Sequence, residues 1–276
     1  MKERNKRQSF LGEKSEEIYS SCVAGVVGLG GGGSHIVQQL AHLGLVNFVL
    51  FDPDKAEESN LNRLIGATCK DVLRASLKTT IAKRLIRGIN PHAHVKTING
   101  KWQENHQLLR GCDVIFGCLD TYRDRSELEI TARRFLIPYI DIGMDVHRIA
   151  DEFVVAGQVI LSMPGELCMR CLGFIRDELL AREAAKYGDA GGRPQVVWAN
   201  GVLASAAVGI FTQIFTPWHG GCPPSVYLEY DGNSQSITRS NRLECMKERK
   251  CSHFSNAGGL GDPFWAPGRA RVRPLS

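Results

Sequence analysis

Between Ser21 and Asp54 the chain runs through an apolar stretch, SCVAGVVGLG, a block of four consecutive glycines in GLGGGGS, an amphipathic stretch from about Ser34 ended by Gly44, and a second apolar stretch, VNFVLFDPD. Few folds accept that order. A strand, a tight glycine turn, a helix and a second strand with no polar alternation describe the first unit of a parallel sheet covered on both faces. Gly28, Gly30 and Gly33 fit G-x-G-x-x-G, and Asp52 follows Gly33 by nineteen positions. Glycines at those places let backbone N–H groups and the positive end of a helix approach a phosphate, and the acid is spaced to bond a ribose hydroxyl. The loop by itself says only that a nucleotide binds, with Gly31 among the glycines facing it.

Further alternation continues the pattern. A helix is expected around LKTTIAKRLIRGIN, a strand at HVKTIN, a helix near QENHQLLRGC, a strand at DVIFGCLD, a helix at SELEITARRFL and a strand at PYIDIG. Past Asp145 the signals change: DEFVVAGQVILSMPG reads as a hairpin, VVWANGVLASAAVGIFTQIF as an apolar helix interrupted at Asn200 and Gly201, and SVYLEYDGNSQSITRS as further antiparallel strand. The expected fold is α/β, a Rossmann-like, mostly parallel doubly wound sheet extended by antiparallel strands. Residues 1–20 read as an N-terminal arm, 21–252 as one domain whose nucleotide-binding part ends near 145 and whose substrate part spans 146–252, and 253–276 as an irregular tail.

Composition narrows the class. With 276 residues, 43% hydrophobic and 23% charged, there is material for one substantial core. The formal charge of +5 is modest, so dedicated nucleic-acid binding is not the first inference. The charged N-terminus lacks a signal-peptide core and the longest apolar run is interrupted, so no membrane association and a cytoplasmic location are expected. Nine cysteines, an odd number, argue for metal ligands or buried thiols rather than a disulfide framework.

The residues beyond Asp52 separate the nucleotide chemistries. FDPD is followed by KAEESNLNR, which supplies Asp54, Asn60 and Arg63, and Lys78 heads the next helix. A nicotinamide enzyme has no use for that set. An enzyme holding a triphosphate does, because Arg and Lys neutralise charge that grows during nucleotidyl transfer. Asp120, at the strand end in CLDTYRDR, suits a carboxylate that holds magnesium over phosphates.

GLGGGGS, D-x-D-x4-S-N-L-N-R, Lys78 with the following INP, and Asp120 with Arg125 five positions on together resemble the ThiF/MoeB/HesA superfamily, which includes the adenylation domains of ubiquitin-activating enzymes. The resemblance spans about Arg7 to Cys251. It implies an ATP- and Mg2+-dependent adenylyltransferase that activates a carboxylate, usually the C-terminal glycine of a ubiquitin-like protein, and releases pyrophosphate. Carried over by position, Asp52 would bond the ribose, Asn60, Arg63 and Lys78 would contact the phosphates, and Asp120 would hold magnesium. In the family an arginine of the partner subunit's N-terminal arm reaches the phosphates, so a homodimer is expected, with Arg7 the first candidate and Arg4 the second. Conjugating or peptidase proteins are the partners such pathways imply. No general base is required, because a carboxylate is already ionised at neutral pH.

The cysteines raise a second question. CMRC places Cys168 and Cys171 at C-x2-C spacing, and Cys245 and Cys251 are the candidates to complete a four-cysteine Zn2+ site, with His253 able to replace one thiolate. Their C-x5-C spacing departs from the second C-x2-C pair of zinc-bearing relatives. Many relatives carry a nucleophilic cysteine on the loop after the first pair, but IRDELLAREAAKYGDAGGRPQ has none. Either the reaction stops at the acyl-adenylate, a partner supplies the nucleophile, or another cysteine does so, Cys222 being the best internal candidate; Cys118 reads as a buried structural thiol. Trp198, Asn200 and Gly201 read either as packing or as a channel admitting a glycine-rich tail. Two alternative functions stay open: adenylation of a small-molecule or tRNA-linked carboxylate, and a non-catalytic relative that only binds a ubiquitin-like protein.

Overall fold

The computed structural model describes residues 3–185, 194–221, 223–254 and 261. A 3₁₀ helix (Glu3–Leu11) leads into α1 (Ser15–Ser21), β1 (Val23–Val27), α2 (Gly31–Leu43), β2 (Asn47–Phe51), α3 (Cys69–Leu73), α4 (Lys78–Ile89), β3 (His94–Ile98) and β4 (Val114–Gly117). Then come α5 (Tyr122–Arg134), β5 (Tyr139–Ile149), β6 (Glu152–Ser162), α6 (Asp177–Ala185), α7 (Val197–Phe215), β7 (Val226–Asp231), β8 (Ser236–Arg239) and α8 (Asn241–Cys245). All eight strands form one sheet in the order β3-β2-β1-β4-β5-β6-β7-β8. β1 to β5 run parallel and β5 to β8 pair antiparallel, as the sequence pattern led us to expect.

The continuous apolar strands are buried because helices cover both faces. On one face Ile36, Val37 and Leu40 of α2 and Leu203, Ala204 and Phe211 of α7 pack on Ala24, Val26, Leu50 and Phe116. On the other, Leu128 and Ala132 of α5 join Trp102, Leu109 and Tyr139. Each fully buried aliphatic side chain contributes roughly 1.5–3 kcal/mol. The strand order reverses at β1 and β4, so the loops after them diverge and leave a crevice at their carboxyl ends.

Several local expectations are corrected. α2 begins at Gly31 rather than Ser34, so three of the consecutive glycines form its first turn, with Gly30 as the N-cap. EFVVAGQVILS is one strand, β6, and its hairpin partner is β5, which continues to Ile149; Ala150, with φ 52°, and Asp151 make the turn. The stretch QENHQLLRG lies in a 3₁₀ run, Trp102–Gly111. Asn200 and Gly201 do not interrupt α7: Asn200 Nδ2 donates to the Val196 carbonyl at 3.0 Å and the helix passes through. Among the described residues α7 is the one helix long and apolar enough to span a membrane, and half of it is buried in this core. The N-terminal arm is anchored, since Leu11 is buried against the sheet.

Candidate active site and metal cluster

A cleft of about 1250 Å³ opens at the carboxyl ends of β1, β2, β4 and β5. Gly28, Gly30, Gly31, Asp52, Asp54, Asn60, Arg63, Lys78 and Asp120 all line it, so nearly the whole set selected from sequence converges on one cavity. Gly33 does not. It lies within the first turn of α2, where a Cβ would collide with the Gly28 carbonyl, and its role is close packing of turn against helix. Gly28 has φ 88°, a left-handed conformation that favours glycine, and its own missing Cβ makes room for the Cys118 carbonyl.

Hydrogen bonds fix the carboxylates. Asp52 is buried; its Oδ2 accepts from the Leu29 N–H at 2.6 Å and its Oδ1 from the Asp54 N–H at 2.8 Å. Burial pushes its carboxyl up, and the Lys78 charge and these two N–H groups oppose that push. Lys78 Nζ lies 2.7 Å from Asp54 Oδ2, and Arg63 Nη1 donates to the Ser59 carbonyl at 2.5 Å and to Asn62 Oδ1 at 2.9 Å. Both cations therefore rest on the chain's own oxygens. Asn60 Oδ1 accepts from the Glu57 N–H at 3.2 Å and closes the SNLNR loop, while Ser34 Oγ accepts from the Ile65 N–H at 3.1 Å and ties that loop to α2.

Arg125, paired with Asp120 in the sequence pattern, is buried in the cleft wall with its guanidinium held by β5. Its Nη1 donates to Asp141 Oδ2 at 2.5 Å and to the Ile142 carbonyl at 3.0 Å, and Tyr139 Oη donates to Asp141 Oδ1 at 2.7 Å. Gly143 has no side chain because the Arg125 guanidinium occupies that space. Burial pushes the Asp141 carboxyl up and Arg125 opposes it. Burial also pushes the Cys118 thiol up, which makes it a poor nucleophile and fits a structural thiol.

Sequence reasoning missed part of the lining. Glu183 of α6 accepts the N–H groups of Tyr122 and Arg123, both at 3.0 Å, and so caps α5 beside Asp120, with Leu180 and Ala184 extending the same wall. Nothing local in AREAAKYG signals that contact. Lys101, Trp102 and Gln103 enter from the segment after β3. Asn200 lines the cleft with its amide against Gly31, and a polar residue in an apolar helix was the available signal. Trp198 is half-exposed outside the cleft, and Gly201 packs on His35. Arg7 is exposed on the 3₁₀ helix and does not line its own chain's cleft. The Arg4 side chain and Cys222 lie outside the described residues.

A second cluster gathers Cys168, Cys171, Cys251 and His253, with all ligand atoms within 4.8 Å of one another. Cys168 Sγ is 3.6 Å from Cys171 Sγ, and His253 Nδ1 is 3.5 and 3.3 Å from those sulfurs. Tetrahedral zinc with Zn–S near 2.3 Å and Zn–N near 2.0 Å requires separations of roughly 3.5–3.8 Å, so the donor set fits. Cys245 does not belong to it. It ends α8 with its side chain exposed, whereas the chain after Arg249 turns back so that Cys251 and His253, two residues apart, reach the CMRC loop. The set is therefore three cysteines and a histidine rather than four cysteines. Glu129 Oε1 accepts from the Met169 N–H at 2.8 Å and from Ser162 Oγ at 2.6 Å, and Arg133 donates to the carbonyls of Glu166 and Leu167 at 2.9 and 2.7 Å. These two buried α5 residues hold the cysteine loop in place.

Glycine turn, carboxylate-terminated strands and cation loop agree with a match to the ThiF family that extends over residues 3–253. The chain belongs to the ThiF family. It is 32% identical over 162 residues to the SAMP-activating enzyme E1 of Haloferax volcanii, covering 58% of this chain and 56% of that protein. To the molybdopterin-synthase adenylyltransferase of Haemophilus influenzae it is 33% identical over 117 residues, 42% of this chain and 47% of the relative. The tRNA threonylcarbamoyladenosine dehydratase of the same species is 31% identical over 121 residues, 43% of this chain and 46% of the relative. The chain spans about half the length of the curated relatives it matches. Among solved structures, E. coli MccB crystallised with ATP superposes with a TM-score of 0.71 at 18% identity, covering 88% of this chain and 72% of that one, a likeness of fold. The ThiF-type sheet thus accounts for both the parallel half and its antiparallel extension.

Proposed function

We propose that this ThiF-family chain is an ATP-dependent adenylyltransferase that activates the C-terminal carboxylate of a ubiquitin-like protein or of a peptide. The observation that supports this best is the convergence of Arg63 and Lys78, the N-terminal turn of α2 and the carboxylates Asp52 and Asp120 in one cleft. Asp52 receives the ribose, while the α2 N–H groups, Arg63 and Lys78 receive the phosphates. Asp120, with Asp124 beside it in the lining, offers the oxygen ligands that Mg2+ prefers, and the ion would neutralise phosphate charge there.

The chain's own residues do the rest by orientation and charge. The incoming carboxylate and the triphosphate repel each other, so the cations must leave Asp54 and Ser59 and bind phosphate before the two can approach. A flexible tail has room along Ile142, Gly143, Met144 and Asn200. No cysteine occurs between Cys171 and Cys222, so the acyl-adenylate is the expected product, to be taken by a nucleophile outside this loop. Arg7 acts across a homodimer interface, and the cluster of three cysteines and His253 holds Zn2+ as a structural ion. The SAMP-activating enzyme and the ubiquitin-like modifier-activating enzyme 5 of several organisms support the choice of a protein substrate.

The test is ATP–pyrophosphate exchange with a panel of glycine-terminated ubiquitin-like proteins. Exchange that requires the intact terminal glycine supports the reading. Exchange indifferent to every protein tail, yet supported by a small carboxylate, refutes the protein-substrate part.

A further inference from the structure

The charge of this chain is strongly segregated. Between Ser59 and Gln103 stand nine Lys and Arg against one acid, Asp71, a net +8; the whole chain carries +5, so everything outside this segment sums to −3. The segment builds α3, α4 and β3, and β3 is the edge strand of the sheet. Lys70, Arg74, Arg87, Lys96 and Lys101 are exposed and Lys83 is partly so; none of the six makes an ion pair among the described residues. The only pairs here, among the same residues, are Arg84 with Asp71 and Lys78 with Asp54. At its inner end the basic surface joins the cleft, since Arg63, Lys78 and Lys101 line it.

We infer that the α3–α4–β3 edge is a docking surface for the phosphate backbone of a double-stranded nucleic acid. A protein partner is a poorer fit, because protein interfaces are depleted in Lys and centre on aromatic anchors. The single aromatic residue of the segment, Trp102, is buried, and Leu73 is its one largely exposed apolar side chain. The exposed rings of the segment are only the small imidazoles of His92 and His94, so the broad aromatic platform on which single strands stack is missing. What remains is unpaired cationic charge over a surface where α4 alone extends about 18 Å, the length of roughly five base pairs. Phosphates bound there would carry no sequence information. The surface holds independently of the adenylation reading, since it uses no residue assigned to nucleotide transfer except at its inner rim.

The experiment measures fluorescence anisotropy of a labelled RNA duplex and a labelled B-DNA duplex with the full chain, without ATP, over a salt series. If all six cations engage, the slope of log K against log salt is about −5 on B-DNA. The triple variant Lys83→Glu, Arg87→Glu, Lys96→Glu should weaken binding at least tenfold while pyrophosphate exchange is retained, and the ratio of RNA to DNA affinity identifies which duplex the surface prefers. Four results would overturn the inference: no duplex binding at about 50 mM salt; binding unchanged by the triple variant, which would place it on another basic segment; binding of polyglutamate in preference to duplex, which would indicate an acidic protein; or no duplex binding with a raised KM for ATP in the variant, which would indicate a field that only steers ATP.

Discussion

Gly33 and Gly30 are three residues apart and carry opposite consequences. A Cβ at Gly33 would meet the Gly28 carbonyl, while one at Gly30 meets nothing within 4 Å. Gly33→Ala is therefore expected to cost about 3 kcal/mol of stability, and Gly30→Ala less than about 0.5 kcal/mol, in urea denaturation. Equal costs would contradict the packing role given to Gly33. Asp71 gives a pH signature. Arg84 bridges both of its oxygens at 2.7 and 2.8 Å and Thr68 donates twice, which holds its carboxyl well below the usual carboxylate range. A depressed folded-state pKa stabilises above the unfolded value near 3.9 and is lost as pH falls through the lower, folded value. Asp71→Asn should thus cost about 2 kcal/mol at pH 7, with the difference from the parent shrinking below about pH 4. A difference independent of pH would remove the charge from the explanation.

α5 joins two sites that sequence motifs treat separately. Its N-terminal end carries Thr121, Asp124 and Arg125 at the cleft, and one face further along carries Glu129 and Arg133, which hold the CMRC loop. Both are almost fully buried, so Glu129→Ala leaves an uncompensated cation and should cost about 3–5 kcal/mol. The metal cluster yields a sharper contrast. His253→Ala should lower zinc content and affinity in a chromophoric chelator assay, and Cys245→Ser should leave both unchanged. Zinc lost equally in the two variants would restore Cys245 to the ligand set. The linear spacing favoured two cysteines over a histidine because it could not show that α8 consumes Cys245 while the chain beyond it turns back.

Across the whole molecule, what the sequence made legible follows from how local the cause is. The parallel half is written in short apolar runs and glycine turns, and Asp52, Asn60, Arg63, Lys78 and Asp120 each lie in a loop directly after a readable strand or at the head of a readable helix. Arg125 and Glu183 were not legible in these roles, because their partners, Asp141 and the Tyr122 and Arg123 N–H groups, are set by packing of distant elements. The β5–β6 hairpin was misplaced because its turn, at Ala150, lacks glycine and proline. If Arg7 serves the partner subunit's cleft, mixing inactive Arg7→Ala with inactive Asp120→Ala should restore roughly a quarter of the activity through mixed dimers with one complete site. No restoration would place Arg7 outside the reaction. The role of this cleft in nucleotidyl transfer is tested by ATP–pyrophosphate exchange in Asp120→Ala. The expected result is exchange lost by at least a hundredfold, roughly 2.7 kcal/mol or more of transition-state stabilisation, with unfolding midpoint unchanged. Exchange at the level of the parent protein would contradict the assignment of this cleft to nucleotidyl transfer.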